Sequence, residues 1–201
     1  MKSRSVNSAA IFTLLIILAA AFLFPIVMVL INSFKGRFFI STEPFSLPTG
    51  ETFVGLENYI SGLQKTGFFS AFGYSLFITV FSVAAIVLFT SMAGWYITRV
   101  KSRFNKIMYM ALVFSMVVPF QMVMFSMSKI ANILSLDNPI GIIVIYLGFG
   151  AGLSTFMFCG FVKSIPVDIE EAAMIDGCGP IRTFFTVVFP VLRPTTVTVA
   201  I

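Results

Sequence analysis

The sequence predicts an all-α, polytopic membrane protein, and three observations carry that prediction. The 201 residues are 58% hydrophobic and 10% charged, whereas a soluble domain is about 45–50% apolar and roughly 25% charged. The apolar residues are gathered in long runs, and about 20 helical residues are enough to span a hydrocarbon core of roughly 30 Å. The chain has no histidine, and its two cysteines are too few for a disulfide framework. Most soluble enzymes, disordered tails and disulfide-rich extracellular modules are therefore excluded.

Charge-free stretches predict four membrane-spanning helices and the beginning of a fifth. The four lie near residues 9–32, 72–97, 107–128 and 139–161. The first apolar run is longer than the roughly 7–15 residues of a signal-peptide core, so we expect it to be retained. A fifth run begins near Phe184, and the sequence stops at residue 201. We expect a single transmembrane domain over 1–201 that is truncated within its fifth span.

The lysines and arginines of the short loops predict the orientation, because cytoplasmic loops are enriched in them. With the N-terminus inside, eight basic residues fall on the inner side and four on the outer side. The inner set comprises Lys2, Arg4, Arg99, Lys101, Arg103, Lys106, Lys163 and Arg182. We therefore expect a cytoplasmic N-terminus, an external loop over about 33–71 and a cytoplasmic segment over about 163–183.

Residues 164–180 of that cytoplasmic segment predict a short helix with both ends marked. Ser164 is placed to cap its N-terminus, and Pro166 is tolerated in the first turn. Gly177 can supply a left-handed stop. A helix of about ten residues is roughly 15 Å long, which is too short to cross the membrane.

The surface of this short helix favours a docking role over that of a plain connector. Ala172 and Ala173 form a small patch that another protein could approach closely. Glu170, Glu171 and Asp176 offer carboxylates to basic partners. From the residues alone, a capped helical linker between two spans is an equally good reading.

Two spans carry further candidate residues. Pro119 and Gln121 lie within the third span, and polar groups at such depth usually face a bundle interior or a water-filled path. They are our candidates for a translocation path. In the fourth span, Gly148 and Gly152 have the small-xxx-small spacing that favours close helix packing. Six of the eleven methionines lie in the third span, and we interpret them as packing residues and not as a metal site.

The short cytoplasmic helix resembles a known motif. Glu171-Ala172-Ala173, then Asp176-Gly177 and Phe189-Pro190, are similar to the EAA loop of bacterial ABC importer permeases. Further similarities are Leu56-Glu57-Asn58-Tyr59, Tyr96-Ile97-Thr98-Arg99, Val118-Pro119, Leu136-Asp137-Asn138-Pro139, Ile165-Pro166 and Arg193-Pro194. The order of spans and loops also resembles that of carbohydrate-uptake permeases of the MalG type.

The resemblance implies a type I importer permease fold in a bacterial inner membrane, transporting a sugar or oligosaccharide. It implies three partners besides the lipid bilayer: ATPase subunits, a second permease subunit and an extracytoplasmic solute-binding protein. In that family the EAA loop is a coupling helix seated in a cleft of the ATPase. The carried-over coupling residues are Glu170, Glu171, Ala172, Ala173, Asp176 and Gly177.

We expect this chain to have no enzymatic activity, no cofactor and no nucleic-acid partner. It has no phosphate-binding G-x-x-x-x-G-K-[ST] motif, so ATP would be bound by the partner subunit. Two alternatives stay open at this point: an ABC permease for another solute, and a non-ABC secondary carrier or membrane scaffold.

Overall fold

The computed structural model describes the backbone of residues 2–201 and the side chains of residues 8–201. The side chains of Lys2 and Arg4, used for the predicted orientation, lie outside these described residues. The described part is almost wholly helical, which confirms the all-α prediction, and its one strand-like pairing is a bridge between Lys35 and Phe53. The sequence predicts one domain, whereas the residues form two compact units, Met1–Phe72 and Gly73–Ile201.

The first unit contains one long helix followed by shorter elements. Its elements are α1 (Lys2–Ser33), α2 (Arg37–Thr42), a 3₁₀ turn (Gly50–Thr52) and α3 (Glu57–Lys65). The last carbonyls of a helix lack intrahelical donors. The side-chain amide of Asn58 donates to the carbonyl of Ser33, the last residue of α1, at 2.9 Å, and to the carbonyl of Lys35, just beyond the helix, at 2.7 Å. Lys35 is fully buried and donates to the carbonyl of Glu43 at 2.8 Å. These bonds fasten the loop onto the end of α1.

The second unit holds the remaining helices, apart from the first turn of α4. They are α4 (Phe68–Arg99), α5 (Arg103–Val117), α6 (Phe120–Ile133), α7 (Pro139–Val162), α8 (Val167–Ile175), α9 (Pro180–Thr183), α10 (Phe189–Val191) and α11 (Arg193–Ala200). A π-helical turn, Phe184–Val188, joins α9 to α10. The buried core comprises Phe158, Val162, Ile165, Phe184, Val188 and Leu192. It therefore joins the end of α7 to the segment that follows α8.

Among the described residues, three helices are long and apolar enough to cross a membrane: Ser8–Ser33, Phe68–Arg99 and Pro139–Val162. Two bent pairs of helices, α5 with α6 and Pro180–Val191 with α11, raise the number to five if each pair is one span. The fifth apolar run, expected to begin near Phe184, is already helical at Pro180 and bends by 73° before Arg193.

The prediction of one continuous helix over 107–128 is wrong. The chain bends by 108° between α5 and α6, and Val118 and Pro119 have extended backbone angles at the break. Proline has no N–H to donate and disfavours a helical conformation in the residue before it. Pro119 therefore ends α5 and begins α6.

Of the two glycines that the sequence predicts to pack, one meets a neighbouring helix of this chain. A Cβ at Gly152 would lie 2.7 Å from the carbonyl oxygen of Leu112 and from Oγ of Ser115, both on α5. A Cβ at Gly148 would have open space around it in the described residues. Another close approach, missed in the sequence, is at Gly94, where a Cβ would lie 2.8 Å from Cβ of Phe158. Glycine thus brings α7 against both α4 and α5.

Candidate functional site: the short helix α8

The short helix predicted in the cytoplasmic segment is α8, and its N-terminus begins later than expected. Pro166 is the N-cap, and Asp168 and Glu170 lie in the first turn, where the helix dipole favours acidic side chains. The prediction that Ser164 caps the helix is wrong. Its hydroxyl instead donates to the carbonyl of Phe161 at 2.7 Å, one turn back on α7.

The C-terminus of α8 is closed as predicted by a left-handed glycine. Gly177 has a φ of +85°. The N–H of Cys178 donates to the carbonyl of Ala173, and the N–H of Gly177 donates to that of Met174, both at 3.0 Å. This pair of bonds is the Schellman arrangement. It fixes the direction in which the chain leaves α8.

One face of α8 is turned inward, which corrects part of the predicted docking surface. Glu170 is 3% exposed and Ala173 is 9% exposed. The sequence predicts both as contacts for a partner, but neither is offered to one in this chain. Residues three apart lie on the same side of a helix, so Glu170 and Ala173 define the face with which α8 packs on its own chain.

The carboxylate of Glu170 is bound by two side chains of α4, and we call this group of three the clamp. Arg99 donates to Oε1 of Glu170 from Nη2 at 2.7 Å and from Nε at 2.9 Å. Trp95 donates from its indole Nε1 to Oε2 at 2.9 Å. Arg99 also donates from Nη2 to the carbonyl of Ile165 at 2.9 Å. The clamp therefore ties α8, and the segment that leads into it, to the end of α4.

Because the clamp is buried, breaking it is costly in free energy. A buried carboxylate is stable only when it is paired and hydrogen-bonded, and both oxygens of Glu170 have donors. The side chain of Arg99 is itself only 18% exposed. Removing one partner of such a pair leaves an uncompensated buried charge. The clamp thus holds α8 in a defined position relative to α4.

The other face of α8 is exposed. Glu171 and Ala172 lie on it, and Asp176 and Gly177 follow at the end of the helix. Glu171 makes no hydrogen bond or ion pair with the described residues. The same exposed surface also carries apolar side chains: Ile169 at 45%, Met174 at 48% and Ile175 at 86% exposure. Exposed apolar side chains beside carboxylates that basic groups can pair with suit contact with another protein.

A cavity adjoins this surface. It has a volume of about 790 Å³ and lies between the end of α4 and α8. Glu171 and Met174 line it from α8, and Lys101 and Lys163 line it from the neighbouring segments. Within the described residues, no group of histidine, cysteine, aspartate and glutamate side chains could hold a metal ion.

The other predicted site residues lie on other elements. Pro119 stands at the break between α5 and α6, and Gln121 is exposed in the first turn of α6. Gly148 lines a separate cavity of about 440 Å³ together with residues of α5 and α6. Gly152 packs against α5.

The sequence prediction missed the contacts of Arg99 and Trp95 with Glu170. Arg99 entered the prediction as a loop cation and as the last residue of the Tyr96-Ile97-Thr98-Arg99 similarity, without a contact to α8. The available signal was their spacing, because residues four apart share a helix face, and a tryptophan donor below an arginine at the end of an apolar helix makes a surface suited to a carboxylate.

More than half of the chain matches a known protein family. Residues 86–201 match the family described as binding-protein-dependent transport system inner membrane component. This range includes the clamp and the whole of α8.

Individual relatives match over nearly the whole chain. The probable starch degradation products transport system permease AmyC of Thermoanaerobacterium thermosulfurigenes is 36% identical, over 92% of this chain and 67% of the relative. The multiple sugar-binding transport system permease MsmG of Streptococcus mutans is 34% identical, over 96% of this chain and 69% of the relative. The melibiose/raffinose/stachyose import permease MelC of Bacillus subtilis is 30% identical, over 100% of this chain and 72% of the relative.

A solved structure has the same fold. It is a crystal structure of a bacterial ABC transporter involved in the import of the acidic polysaccharide alginate, with a TM-score of 0.83 and 22% sequence identity. The match covers all of this chain and 70% of the other. This likeness confirms the predicted ABC permease fold.

Proposed function

Because the chain belongs to the family of binding-protein-dependent transport system inner membrane components, we propose that it is the membrane-spanning subunit of an ATP-driven importer for a sugar or oligosaccharide. Membership of a transport permease family sets aside the secondary carrier and the scaffold. The solute would be delivered by an extracytoplasmic binding protein. A second permease subunit would complete the pore.

The two-faced geometry of α8 is the observation that carries this proposal. Its inner face is held by the clamp, and Glu171 and Ala172 are exposed on its outer face. A helix that only connected two spans would need neither a buried ion pair nor an exposed apolar surface. We assign the outer face, with Asp176 and Gly177, to contact with the ATPase.

The proposed mechanism is the transfer of a rigid-body movement. Closure of the ATPase subunits on ATP would displace α8. Only four residues separate α7 from α8, and the clamp adds a second connection, to α4. Displacement of α8 would therefore move α4 and α7 together. The same residues would then favour outward access in one position and inward access in the other.

The 201 residues supply mechanical coupling and no nucleotide site in this proposal. They contain no phosphate-binding G-x-x-x-x-G-K-[ST] sequence. We assign ATP binding and hydrolysis to the partner subunit. The clamp and the outer face of α8 would act by position alone.

The solute class is proposed from the relatives. Their names refer to starch degradation products, multiple sugars and melibiose, raffinose and stachyose. Gln121 is exposed at the start of α6 and makes no hydrogen bond with any described residue. An amide with both donors and acceptors available suits sugar hydroxyls. We therefore propose that Gln121, placed by the break at Pro119, lines the translocation path.

The proposed orientation follows the basic residues. Arg99, Lys101, Arg103 and Lys106 would lie on the cytoplasmic side with α8, and the N-terminus would share that side. The loop fastened by Asn58 would face the binding protein.

The proposal is tested by isolating the full-length protein, tagged, from its native cell after mild solubilisation. We expect an ATPase, a second permease and a solute-binding protein to co-purify. Reconstituted with these partners, the complex should take up a labelled maltooligosaccharide or raffinose only when ATP is present, and unlabelled sugar should compete. Uptake that persists without ATP but collapses with the ion gradients would contradict the importer. Competition by a non-sugar solute alone would contradict the sugar assignment.

A further inference from the structure

A further cavity, of about 470 Å³, lies where α4 ends, α5 begins and α7 ends. Four basic residues line it: Lys101, Arg103, Lys106 and Lys163. No acidic residue is among its lining residues. We call these four residues the basic pocket.

None of the four charges of the basic pocket has a salt-bridge partner among the described side chains. The one ion pair among the described side chains joins Arg99 to Glu170, so none of the four is paired there. The closest aromatic contact is that of Lys163, whose Nζ lies 5.9 Å from the ring centroid of Tyr109. Four like charges around one cavity repel one another, and an anion inside it would relieve that repulsion.

The beginning of α5 adds a second reason for an anion. Its N-cap Ser102 accepts a hydrogen bond from the N–H of Asn105 at 3.0 Å. The first turn contains no acidic residue and begins with Arg103. A helix N-terminus carries partial positive charge and favours acidic neighbours, so the start of α5 adds to the positive potential and can bind an anion.

The residues next to the pocket indicate the source of the anion. Phe104 and Ile107 lie on α5 among the basic residues and are 66% and 62% exposed. Tyr109 lines the cavity itself, and tyrosines of membrane proteins are concentrated at headgroup level. A soluble anion would make no contact with the exposed apolar side chains beside the pocket, whereas the acyl chains of a lipid would pack on them.

We propose that the basic pocket binds the phosphate headgroup of an anionic phospholipid, such as phosphatidylglycerol. Lys101 and Lys163 line both this pocket and the cavity beside α8. A headgroup held there would therefore lie next to the ATPase-facing helix. Lipid binding itself needs only the membrane position of the chain and does not depend on the transported solute.

The test is a lipid titration of the full-length protein with its co-purifying partners, read by native mass spectrometry. Phosphatidylglycerol and phosphatidylcholine are compared for the unaltered protein and for Arg103→Gln/Lys106→Gln. We expect a preference for phosphatidylglycerol. Each basic residue beside an anionic lipid contributes about fivefold in affinity, so the double variant should lose about 25-fold.

The matched control is Lys65→Gln/Lys129→Gln, which removes two cations from other segments and should keep the preference. Membrane yield and thermal unfolding of both double variants show whether they fold. The proposal is overturned if the two lipids bind equally, or if the preference survives in Arg103→Gln/Lys106→Gln. Inorganic phosphate that displaces the lipid at equal concentration would identify a soluble-anion site instead. Loss of the ATPase with unchanged lipid binding would identify a protein contact instead.

Discussion

At the scale of single residues, Glu170 has a different role from its neighbour Glu171. Both belong to one acidic pair in the sequence, but Glu170 is 3% exposed and bound by Arg99 and Trp95, and Glu171 is exposed. Adjacent helical residues point about 100° apart, since a turn holds 3.6 residues. One carboxylate therefore fixes α8 to its own chain, while the next is available to a partner.

Replacing one charged member of the clamp should destabilise the protein, because the other charged group stays buried without its partner. Arg99→Gln leaves the buried Glu170 without its cation, which costs about 3 kcal/mol of unfolding free energy, the lower end for a buried pair because Arg99 is 18% exposed. Arg99→Gln/Glu170→Gln should cost less than the sum of the two single changes. Denaturant unfolding of all four proteins in detergent gives the coupling energy.

The control is Arg182→Gln, which removes an exposed arginine and should change stability by less than about 0.5 kcal/mol. Trp95 is the one tryptophan in the 201 residues, so its fluorescence reports on the clamp directly. Emission should shift in Glu170→Gln and remain constant in Arg182→Gln. Additive single and double variants, or an unchanged emission spectrum, would refute the clamp.

Gly177 should tolerate a side chain less well than Gly179 does. Gly177 has a φ of +85°, Gly179 has a φ of −70°, and neither has an atom within 4 Å of a built Cβ. Gly177→Val should therefore cost about 1–2 kcal/mol for conformational reasons alone, and it should lower coupled transport by redirecting the chain after α8. Gly179→Val, measured in the same uptake and unfolding assays, should leave both transport and stability close to those of the unaltered protein. Equal effects of the two changes would contradict this role of Gly177.

At the scale of helices, the contact of α5 with α7 depends on Gly152. A Cβ there would lie 2.7 Å from a backbone oxygen of α5, which cannot rotate away, whereas Gly148 on the same helix has open space. Gly152→Ala should separate the helices at a cost of about 1–3 kcal/mol. Gly148→Ala should be neutral or slightly stabilising, because alanine is the better helix former. The comparison uses thermal unfolding in detergent, and equal melting temperatures would exclude the close contact.

The helices differ in how far the sequence could define them. The long uninterrupted helices α4 and α7 follow from apolar runs, because length and composition alone determine what can span a bilayer. The sequence prediction of one helix over 107–128 misses the break at Pro119, because a proline in an apolar run is compatible with a kinked helix as well as with a broken one. Which outcome occurs depends on the neighbouring helices, and hydropathy does not contain that information.

At the scale of the whole molecule, the two faces of α8 were predictable to different degrees. Its C-terminal boundary and its exposed Glu171 follow from local signals, namely a left-handed glycine and the charge pattern, whereas its N-cap is Pro166 and not the predicted Ser164. The clamp joins residues 71 and 75 positions apart in the sequence, and local patterns carry no information on such pairing. Gly148 and Gly152 illustrate the same limit, because identical spacing led to different surroundings.

The assembled importer offers the decisive test of the outer face of α8. Glu171 is exposed and unbonded among the described residues, so Glu171→Lys should leave membrane insertion and unfolding unchanged. If Glu171 contacts a basic group of the ATPase, the change replaces attraction by repulsion, and a charge-assisted hydrogen bond is worth about 1.5–3 kcal/mol. ATP-dependent uptake should therefore fall by roughly tenfold or more. Glu51→Lys, the same reversal at an exposed residue of the first unit, is the control. Normal uptake by Glu171→Lys with the ATPase still bound would remove Glu171 from the interface and leave the clamp as the only established role of this acidic pair.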